Sequence, residues 1–124
     1  MVLWSQMLQS SKIILPQEAF ELAQKGRGVV LLDVRTREEY NNELGHVAHS
    51  MLIPLQELKQ RVSELEPYKL NTIIAICRSG NRSGSAAELL TQHGFMARNM
   101  EGGMILWNKE GLPVVREGSP QVGV

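Results

Sequence analysis

Short apolar runs alternate along this chain with segments of helical periodicity, and this alternation constrains the fold more than any other feature. Residues 29–32 and 72–76 are runs of the kind found in strands that are buried on both faces of a sheet. A segment with apolar residues at helical spacing, such as residues 55–65, follows such runs. The pattern therefore predicts an α/β fold, in which helices cover both faces of a mostly parallel sheet.

The remaining elements are predicted from periodicity and from end signals. Further strands are predicted at residues 12–15, 51–53 and 95–100. One helix is predicted to begin at Pro16 and to end at Gly26 or Gly28, and a second, short helix is predicted to be capped by Thr36, with Glu39 completing a capping box. A third is predicted to run from Ser85 to a stop at Gly94, and a fourth to include Trp107. Ligands of such sheets bind beyond the carboxyl ends of the strands, where Cys77 and residues 33–35 are both predicted to lie.

The 124 residues suit a single domain with its own hydrophobic core. We predict an N-terminal extension over residues 1–11, one folded domain over residues 12–115, and a flexible C-terminal tail over residues 116–124, which is rich in Gly, Ser and Pro. The chain contains no internal repeat that would divide it further.

Composition excludes several classes of protein. The 13 basic and 13 acidic residues balance, which argues against binding to nucleic acid or to a membrane surface. The single cysteine cannot form an internal disulfide and does not fit a zinc ribbon. Because no apolar run approaches the roughly 20 residues of a membrane span and no signal peptide is apparent, we expect a cytoplasmic protein.

The cysteine lies in a loop with unusual chemistry. Cys77 follows the predicted strand 72–76 and begins the loop Cys77, Arg78, Ser79, Gly80, Asn81, Arg82 and Ser83, after which a helix is predicted. Backbone N–H groups in such a turn, the helix dipole and two arginines would all favour a thiolate. An inert buried cysteine is the plain alternative, but the loop has the features of an anion nest, which such a cysteine does not need.

Two other kinds of anion-binding loop fit these residues less well. Residues 80–85 lack the lysine and the spacing of a P-loop. Cysteine-dependent phosphatases also use a cysteine, a curled loop and an arginine, but they place five residues between the two, whereas four separate Cys77 from Arg82. The narrower loop favours sulfur chemistry over phosphate chemistry.

At this point the chain resembles the rhodanese family of sulfurtransferases, specifically its small single-domain members, over residues 12 to 114. The resemblance rests on the loop 77–83 and on weaker signatures that occur in family order, namely Asp33-Val34-Arg35, Glu39-Tyr40, Gly45-His46-Val47, Ile53-Pro54, Ala86-Ala87, Gly102-Gly103, Trp107 and Gly111-Leu112-Pro113. Two departures, His49-Ser50 in place of a Gly-Ala pair and Ile76 in place of an aromatic residue, bear on substrate preference.

The resemblance implies a rhodanese-like three-layer fold, with a central five-stranded parallel sheet flanked by helices on both faces. It also implies a thiosulfate:cyanide type of sulfurtransferase, which moves sulfane sulfur from thiosulfate or another persulfide donor to cyanide or a thiol. A persulfide on Cys77 is the expected intermediate, and neither a metal nor a further cofactor is expected. A sulfur-relay module with little thiosulfate turnover is the alternative, and a phosphatase or arsenate reductase is a more distant one.

The supporting residues are assigned more specific roles. Cys77 is the expected nucleophile, and Arg78, Ser79, Gly80, Asn81, Arg82 and Ser83 form the expected substrate and persulfide loop. Arg78 would attract an anionic donor, while Arg82 would do the same or lock the loop through Asp33 or a glutamate. Asp33 is interpreted as an orienting or capping carboxylate, and Arg35 with Glu39 as a structural pair or part of the crevice rim.

Other expectations concern metals and partners. His46 and His49 form a weak metal signal, and a turn hydrogen bond is favoured for His46. The expected partners are a small anionic sulfur donor, a thiol or cyanide acceptor, and in the relay alternative a protein partner. We expect a monomer that binds neither nucleic acid nor membrane.

Overall fold

The computed structural model describes residues 12–26 and 28–116. Its centre is a five-stranded sheet with the strand order β1-β5-β4-β2-β3, in which every neighbouring pair is parallel. The strands are β1 (Ile13–Ile14), β2 (Val29–Asp33), β3 (Met51–Leu52), β4 (Thr72–Ile76) and β5 (Met96–Met100). The predicted α/β fold with a five-stranded parallel sheet is confirmed.

Helices cover both faces of this sheet. They are α1 (Pro16–Lys25), α2 (Arg37–Tyr40), α3 (Leu55–Arg61), which continues into a 3₁₀ helix (Val62–Tyr68), α4 (Asn81–Gln92) and α5 (Gly103–Lys109). One core cluster joins the sheet to α3, the 3₁₀ helix and α4, and a second joins it to α1 and α5. The fold therefore has three layers, as the sequence predicts.

Strand β4 shows why the central apolar run is continuous. Ile73, Ala75 and then Cys77 belong to one core cluster, whereas Ile74 and Ile76 belong to the other. Successive side chains of a strand point to opposite faces, so a strand covered on both sides requires apolar residues at every position.

Several predicted helix ends are confirmed. Pro16 is the first residue of α1, and Gly26 ends it in the left-handed conformation with φ 64°. Thr36 caps α2 by accepting a hydrogen bond from the backbone N–H of Glu39, whose carboxylate accepts in return from the Thr36 backbone N–H. This is the predicted capping box.

Two helix predictions require correction. Helix α4 begins at Asn81 rather than Ser85, because Gly80 has φ 108° and turns the chain directly into the helix. The last three residues of the predicted loop, Asn81, Arg82 and Ser83, are therefore the first turn of α4. Residues 55–65 do not form a single α-helix, because the chain changes to a 3₁₀ helix at Val62 ahead of Pro67, which lacks a backbone N–H.

The predicted extension over residues 1–11 and residues 117–124 of the predicted tail lie outside the described residues and remain predictions. Within residues 12–26 and 28–116, no helix has both the length and the apolar character needed to cross a membrane.

Candidate active site

The candidate site lies at the carboxyl end of β4, between β2 and β5. Asp33 of β2 is in register with Ile76 of β4, and the backbone N–H of Val34 donates to the carbonyl oxygen of Ile76 at 2.9 Å. The segment 33–35 and Cys77 therefore lie at the same edge of the sheet. The structure brings these two segments together as the strand pattern predicts.

The Cys77 sulfur is enclosed by its own loop. The residue is 1% exposed, the backbone N–H of Gly80 donates to Sγ at 3.1 Å, and the hydroxyl oxygen of Ser83 lies 3.2 Å from Sγ. Burial raises the pKa of the thiol, but hydrogen bonds to the thiolate from the Ser83 hydroxyl and from the amides of Ser83, Gly80 and Ser79 together lower the pKa below its ordinary value. The loop stabilises a negative charge on sulfur.

Helix α5 orients the first two peptide units of this loop. The backbone N–H groups of Met104 and Ile105 donate to the carbonyl oxygens of Cys77 and Arg78 at 2.8 and 3.0 Å. The C=O and the following N–H of a trans peptide point in opposite directions. With both carbonyls held by α5, the N–H groups of Arg78 and Ser79 are directed away from α5.

This close approach of α5 to the loop depends on Gly103. A Cβ at position 103 would collide with the carbonyl oxygens of Cys77 and Arg78, and the residue has φ 57°. Both facts restrict the position to glycine. The Gly102-Gly103 pair is part of the family resemblance, but sequence reasoning gave it no role in the site.

Asn99 of β5 is a second site residue that sequence reasoning missed. Its Nδ2 donates to the carbonyl oxygen of Gly80 at 3.0 Å, and its Oδ1 lies 2.5 Å from the Ser83 hydroxyl oxygen. Asn99 thus contacts two residues that flank the sulfur. The feature that could have identified Asn99 is its position in a strand in which Ala97 and Met100 are buried, because a partly buried side-chain amide needs hydrogen-bond partners.

The two loop arginines have different environments. Arg82 donates from both terminal nitrogens to the Glu39 carboxylate at 2.7 and 2.8 Å. Hydrogen bonding from Arg82, partly opposed by burial and reinforced by Thr36, lowers the pKa of Glu39 from 4.5 to about 2. Of the alternatives for Arg82, the structure shows the lock through a glutamate. The side chain of Arg78 is exposed.

Asp33 and Arg35 form a buried ion pair with both side chains at 0% exposure. Arg35 donates from Nε and a terminal nitrogen to the Asp33 carboxylate, with a shortest distance of 2.8 Å, and also donates to the Gly45 carbonyl oxygen at 2.7 Å. Asp33 accepts from the Arg35 backbone N–H as well, which is an orienting contact. The predicted pairing of Arg35 with Glu39 is wrong, because Glu39 is bound by Arg82.

The histidines lie apart from this loop chemistry. His46 Nδ1 is 2.8 Å from the Tyr40 carbonyl oxygen, and its ring stacks on Tyr40 with a centroid distance of 3.7 Å. The predicted turn hydrogen bond of His46 is confirmed. His49 is exposed, with φ 67°. Among the described residues, no three His, Cys, Asp or Glu side chains are grouped closely enough to hold a metal ion.

Two relatives found by sequence comparison are both named sulfurtransferases. The chain is 37% identical over 73 residues to the thiosulfate sulfurtransferase PspE of Escherichia coli, covering 59% of this chain and 68% of that protein. It is 35% identical over 88 residues to a sulfurtransferase of Allochromatium vinosum, covering 70% of this chain and 78% of that protein.

A solved structure of a rhodanese-related protein from Thermoplasma volcanium matches with a TM-score of 0.76 and 35% identity, covering 86% of this chain and 99% of that one. The family model described as "Rhodanese-like domain" matches residues 15–110. This match spans strands β2 to β5, the cysteine loop and the helix that supports it. The chain therefore belongs to the rhodanese-like domain family, whose members include the sulfurtransferases that it resembles.

Proposed function

We propose that this protein is a sulfurtransferase that carries sulfane sulfur as a persulfide on Cys77. The observation that supports this most directly is the set of loop donors around the sulfur of Cys77, a residue that is 1% exposed; these donors include the Gly80 amide, 3.1 Å from Sγ. A thiolate and a persulfide anion require the same donors, so one preorganised loop serves both states of the reaction.

The first displacement loads the enzyme. The Cys77 thiolate attacks the outer sulfur of thiosulfate, a new S–S bond forms, and the bond to the sulfonate sulfur breaks so that sulfite leaves with its electron pair. The exposed Arg78 attracts and orients the anionic donor. A general base is not required for this attack when the loop donors hold the sulfur as a thiolate before the donor binds.

The second displacement unloads the enzyme. Cyanide or an acceptor thiolate attacks the terminal sulfur of the persulfide, and the electron pair of the broken S–S bond returns to Cys77 as thiolate. The products are thiocyanate or a new persulfide. The negative charge returns to the same sulfur, where the loop amides again stabilise it.

The burial of Cys77 also bears on the choice of donor. A buried sulfur must be approached end-on, which suits a sulfane sulfur that projects from its sulfonate group. Phosphorus at the centre of a tetrahedron is shielded by its oxygens, so the phosphatase alternative fits less well. The Arg82 guanidinium is moreover occupied by Glu39, whereas a phosphatase loop needs its arginine for the phosphate.

The relay alternative shares the same chemistry up to the persulfide. It differs only in the donor, which would be a protein persulfide instead of thiosulfate. We keep it as the second candidate because the exposed Arg78 serves either a small anion or an acidic partner surface.

The decisive experiment is a thiosulfate–cyanide assay on the wild type and on Cys77→Ser. We expect the wild type to form thiocyanate and the variant to fall to the uncatalysed background. Cys77 is the only cysteine, so a mass gain of one sulfur atom after incubation with thiosulfate can be assigned to it directly. Thiocyanate formation that survives the substitution would remove Cys77 from the mechanism.

Two further measurements separate the alternatives. A wild type that is silent with thiosulfate but gains one sulfur from a protein persulfide donor would establish the relay. Hydrolysis of an aryl phosphate at a rate comparable to sulfur transfer would favour the phosphatase. Circular dichroism of Cys77→Ser provides the control that the variant is folded.

A further inference from the structure

We propose that Asn99 is a positioning residue that accepts the hydrogen bond of the Ser83 hydroxyl while Cys77 is a thiol. When Cys77 ionises, the Ser83 hydroxyl leaves Asn99 and donates its hydrogen bond to the sulfur instead. The proposal deepens the proposed function, on which it rests, because it concerns the charge of the same sulfur. It follows from a conflict in the hydrogen bonds, since two acceptors lie within reach of one hydroxyl proton.

The orientation of the Asn99 side chain follows from its partners. The Gly80 carbonyl oxygen can only accept a hydrogen bond, so the amide nitrogen of Asn99 must face it, at 3.0 Å. The reverse orientation would place two oxygen acceptors against each other. The side-chain oxygen of Asn99 therefore faces the hydroxyl of Ser83.

This orientation determines where the Ser83 proton lies. The Asn99 oxygen can only accept, so at a separation of 2.5 Å the Ser83 hydroxyl must donate to it. A hydroxyl carries one proton, and the Cys77 sulfur at 3.2 Å then faces a lone pair of the Ser83 oxygen. A thiol S–H can donate to that lone pair, whereas a thiolate cannot.

Ionisation of Cys77 reverses this arrangement. The thiol proton leaves to solvent, and the Ser83 hydroxyl rotates about its Cβ–Oγ bond to donate to the thiolate, with no covalent bond of Ser83 or Asn99 changed. A hydrogen bond to a charged sulfur is stronger than one to an amide oxygen, but its gain is reduced by the bond that Asn99 loses. Asn99 therefore limits how far the loop stabilises the thiolate.

Such a limit has a chemical purpose. The nucleophilicity of a thiolate falls as its pKa falls, and a thiol attacks best when its pKa is near the ambient pH. A loop that stabilised the anion without opposition would produce an abundant but sluggish nucleophile. Competition from Asn99 keeps the sulfur reactive.

The charged groups around the sulfur are distinct from this pair. They are Arg82 of α4 with Glu39 of α2, the Asp33–Arg35 pair at the end of β2, and Arg78 of the loop. Replacing Asn99 by alanine alters none of these charges. A change in the Cys77 pKa in that variant therefore reports the hydrogen bonds and not the charge balance.

The test is a titration of Cys77 by the ultraviolet absorbance of its thiolate, which is specific because the chain has one cysteine. The variants are Asn99→Ala, Ser83→Ala and the double variant. We expect Asn99→Ala to lower the Cys77 pKa by about half a unit to one unit, because Ser83 then donates to sulfur without competition. In the Ser83→Ala background, the same substitution should produce no lowering.

The opposite results would overturn the proposal. If Asn99 only braces Gly80, its loss loosens an amide donor and the pKa stays constant or rises. A lowering that persists without Ser83 would also contradict the competition. If Asn99→Ala fails to fold, Asn99→Asp replaces it: we expect a rise that is larger with Ser83 present than absent, and equal rises would overturn the proposal.

This titration requires neither donor nor acceptor. Its outcome therefore stands apart from that of the thiosulfate–cyanide assay. If the Cys77 pKa changes as expected in the variants but sulfur transfer is absent, the result counts against the proposed function alone. If sulfur transfer is active but Asn99→Ala leaves the Cys77 pKa unchanged, the result counts against the role of Asn99 alone.

Discussion

The carboxyl ends of β4 and β2 lie side by side, yet the groups around them stabilise a buried negative charge in different ways. At the end of β4, the Cys77 sulfur is stabilised by neutral donors, including the Gly80 amide. At the end of β2, the Asp33 carboxylate is neutralised by a full charge two residues later, on Arg35. Both groups are buried, and they sit one strand apart.

The difference separates chemistry from support. An anion that is stabilised only by amide dipoles keeps lone pairs that can react, because no cation is paired with it. A carboxylate held by a bidentate arginine has its oxygens occupied and acts as a structural brace between the end of β2 and Gly45. The four predictions that follow challenge or refine this contrast.

The largest expected effect is on stability, at the end of β2. Arg35→Met leaves the Asp33 carboxylate buried without its partner, and we expect the free energy of unfolding to fall by about 3–5 kcal/mol in urea titrations. Arg37→Met is the matched control, since the Arg37–Glu57 pair is exposed and its loss should change stability little. A double variant, Asp33→Leu with Arg35→Met, should recover part of the loss. Equal effects of Arg35→Met and Arg37→Met would refute the brace.

A second prediction addresses the support beneath the cysteine loop. Gly103→Ala should cost more stability than Gly111→Ala, by at least about 1 kcal/mol, because of these two positions only 103 adds a collision with backbone to an unfavourable φ. The two glycines have φ 57° and 72°, and a Cβ at Gly111 meets nothing within 4 Å, so the pair isolates the collision. The measurement is urea unfolding, and equal costs would show that α5 can move away from the loop freely.

A third prediction follows from the Arg82–Glu39 lock. The folded pKa of Glu39 is about 2 against an ordinary 4.5, so its contribution to stability is complete above about pH 4.5 and is lost as the pH falls towards 2. Glu39→Gln should remove that part of the acid dependence and cost about 1 kcal/mol at neutral pH. Unfolding curves between pH 2 and pH 6 measure both effects.

Glu57 provides the control for this acid dependence. Its pKa is also lowered to about 2, by hydrogen bonds from Arg37 and Arg61, but its ion pairs lie at the surface. We expect high salt to abolish the contribution of Glu57 and to leave most of that of Glu39. Equal salt sensitivity would mean that the lock is as open to solvent as a surface pair.

The smallest expected effect is that of Arg78 in the proposed reaction. Arg78→Ala should raise the KM for thiosulfate severalfold more than it lowers kcat, because an exposed arginine acts on the encounter with an anion. Arg78→Lys retains the charge and should restore most of the loss. Steady-state kinetics at two salt concentrations measure both parameters. A fall confined to kcat would mean that Arg78 stabilises the transition state and does not act on the encounter with thiosulfate.

Local signals in the sequence were sufficient for most of the fold. Continuous apolar runs predict buried strands, and the Thr36–Glu39 capping box and Gly26 mark helix ends that the structure retains. The same signals failed at Asn81, where helix α4 begins inside the predicted loop. Its start depends on the left-handed Gly80 and on the packing beneath it, which helix propensity does not describe.

The amino-acid sequence alone determined that a lone cysteine follows a central strand within a loop of small and polar residues, because strand, turn and helix signals are local. Only the tertiary structure decided which groups meet the sulfur and the charges beside it. Asn99 comes from β5, Gly103 from the start of α5 and Glu39 from α2, and each reaches the site from a distant part of the chain. Contacts of that kind arise from packing of the sheet and its helices, which no local pattern encodes.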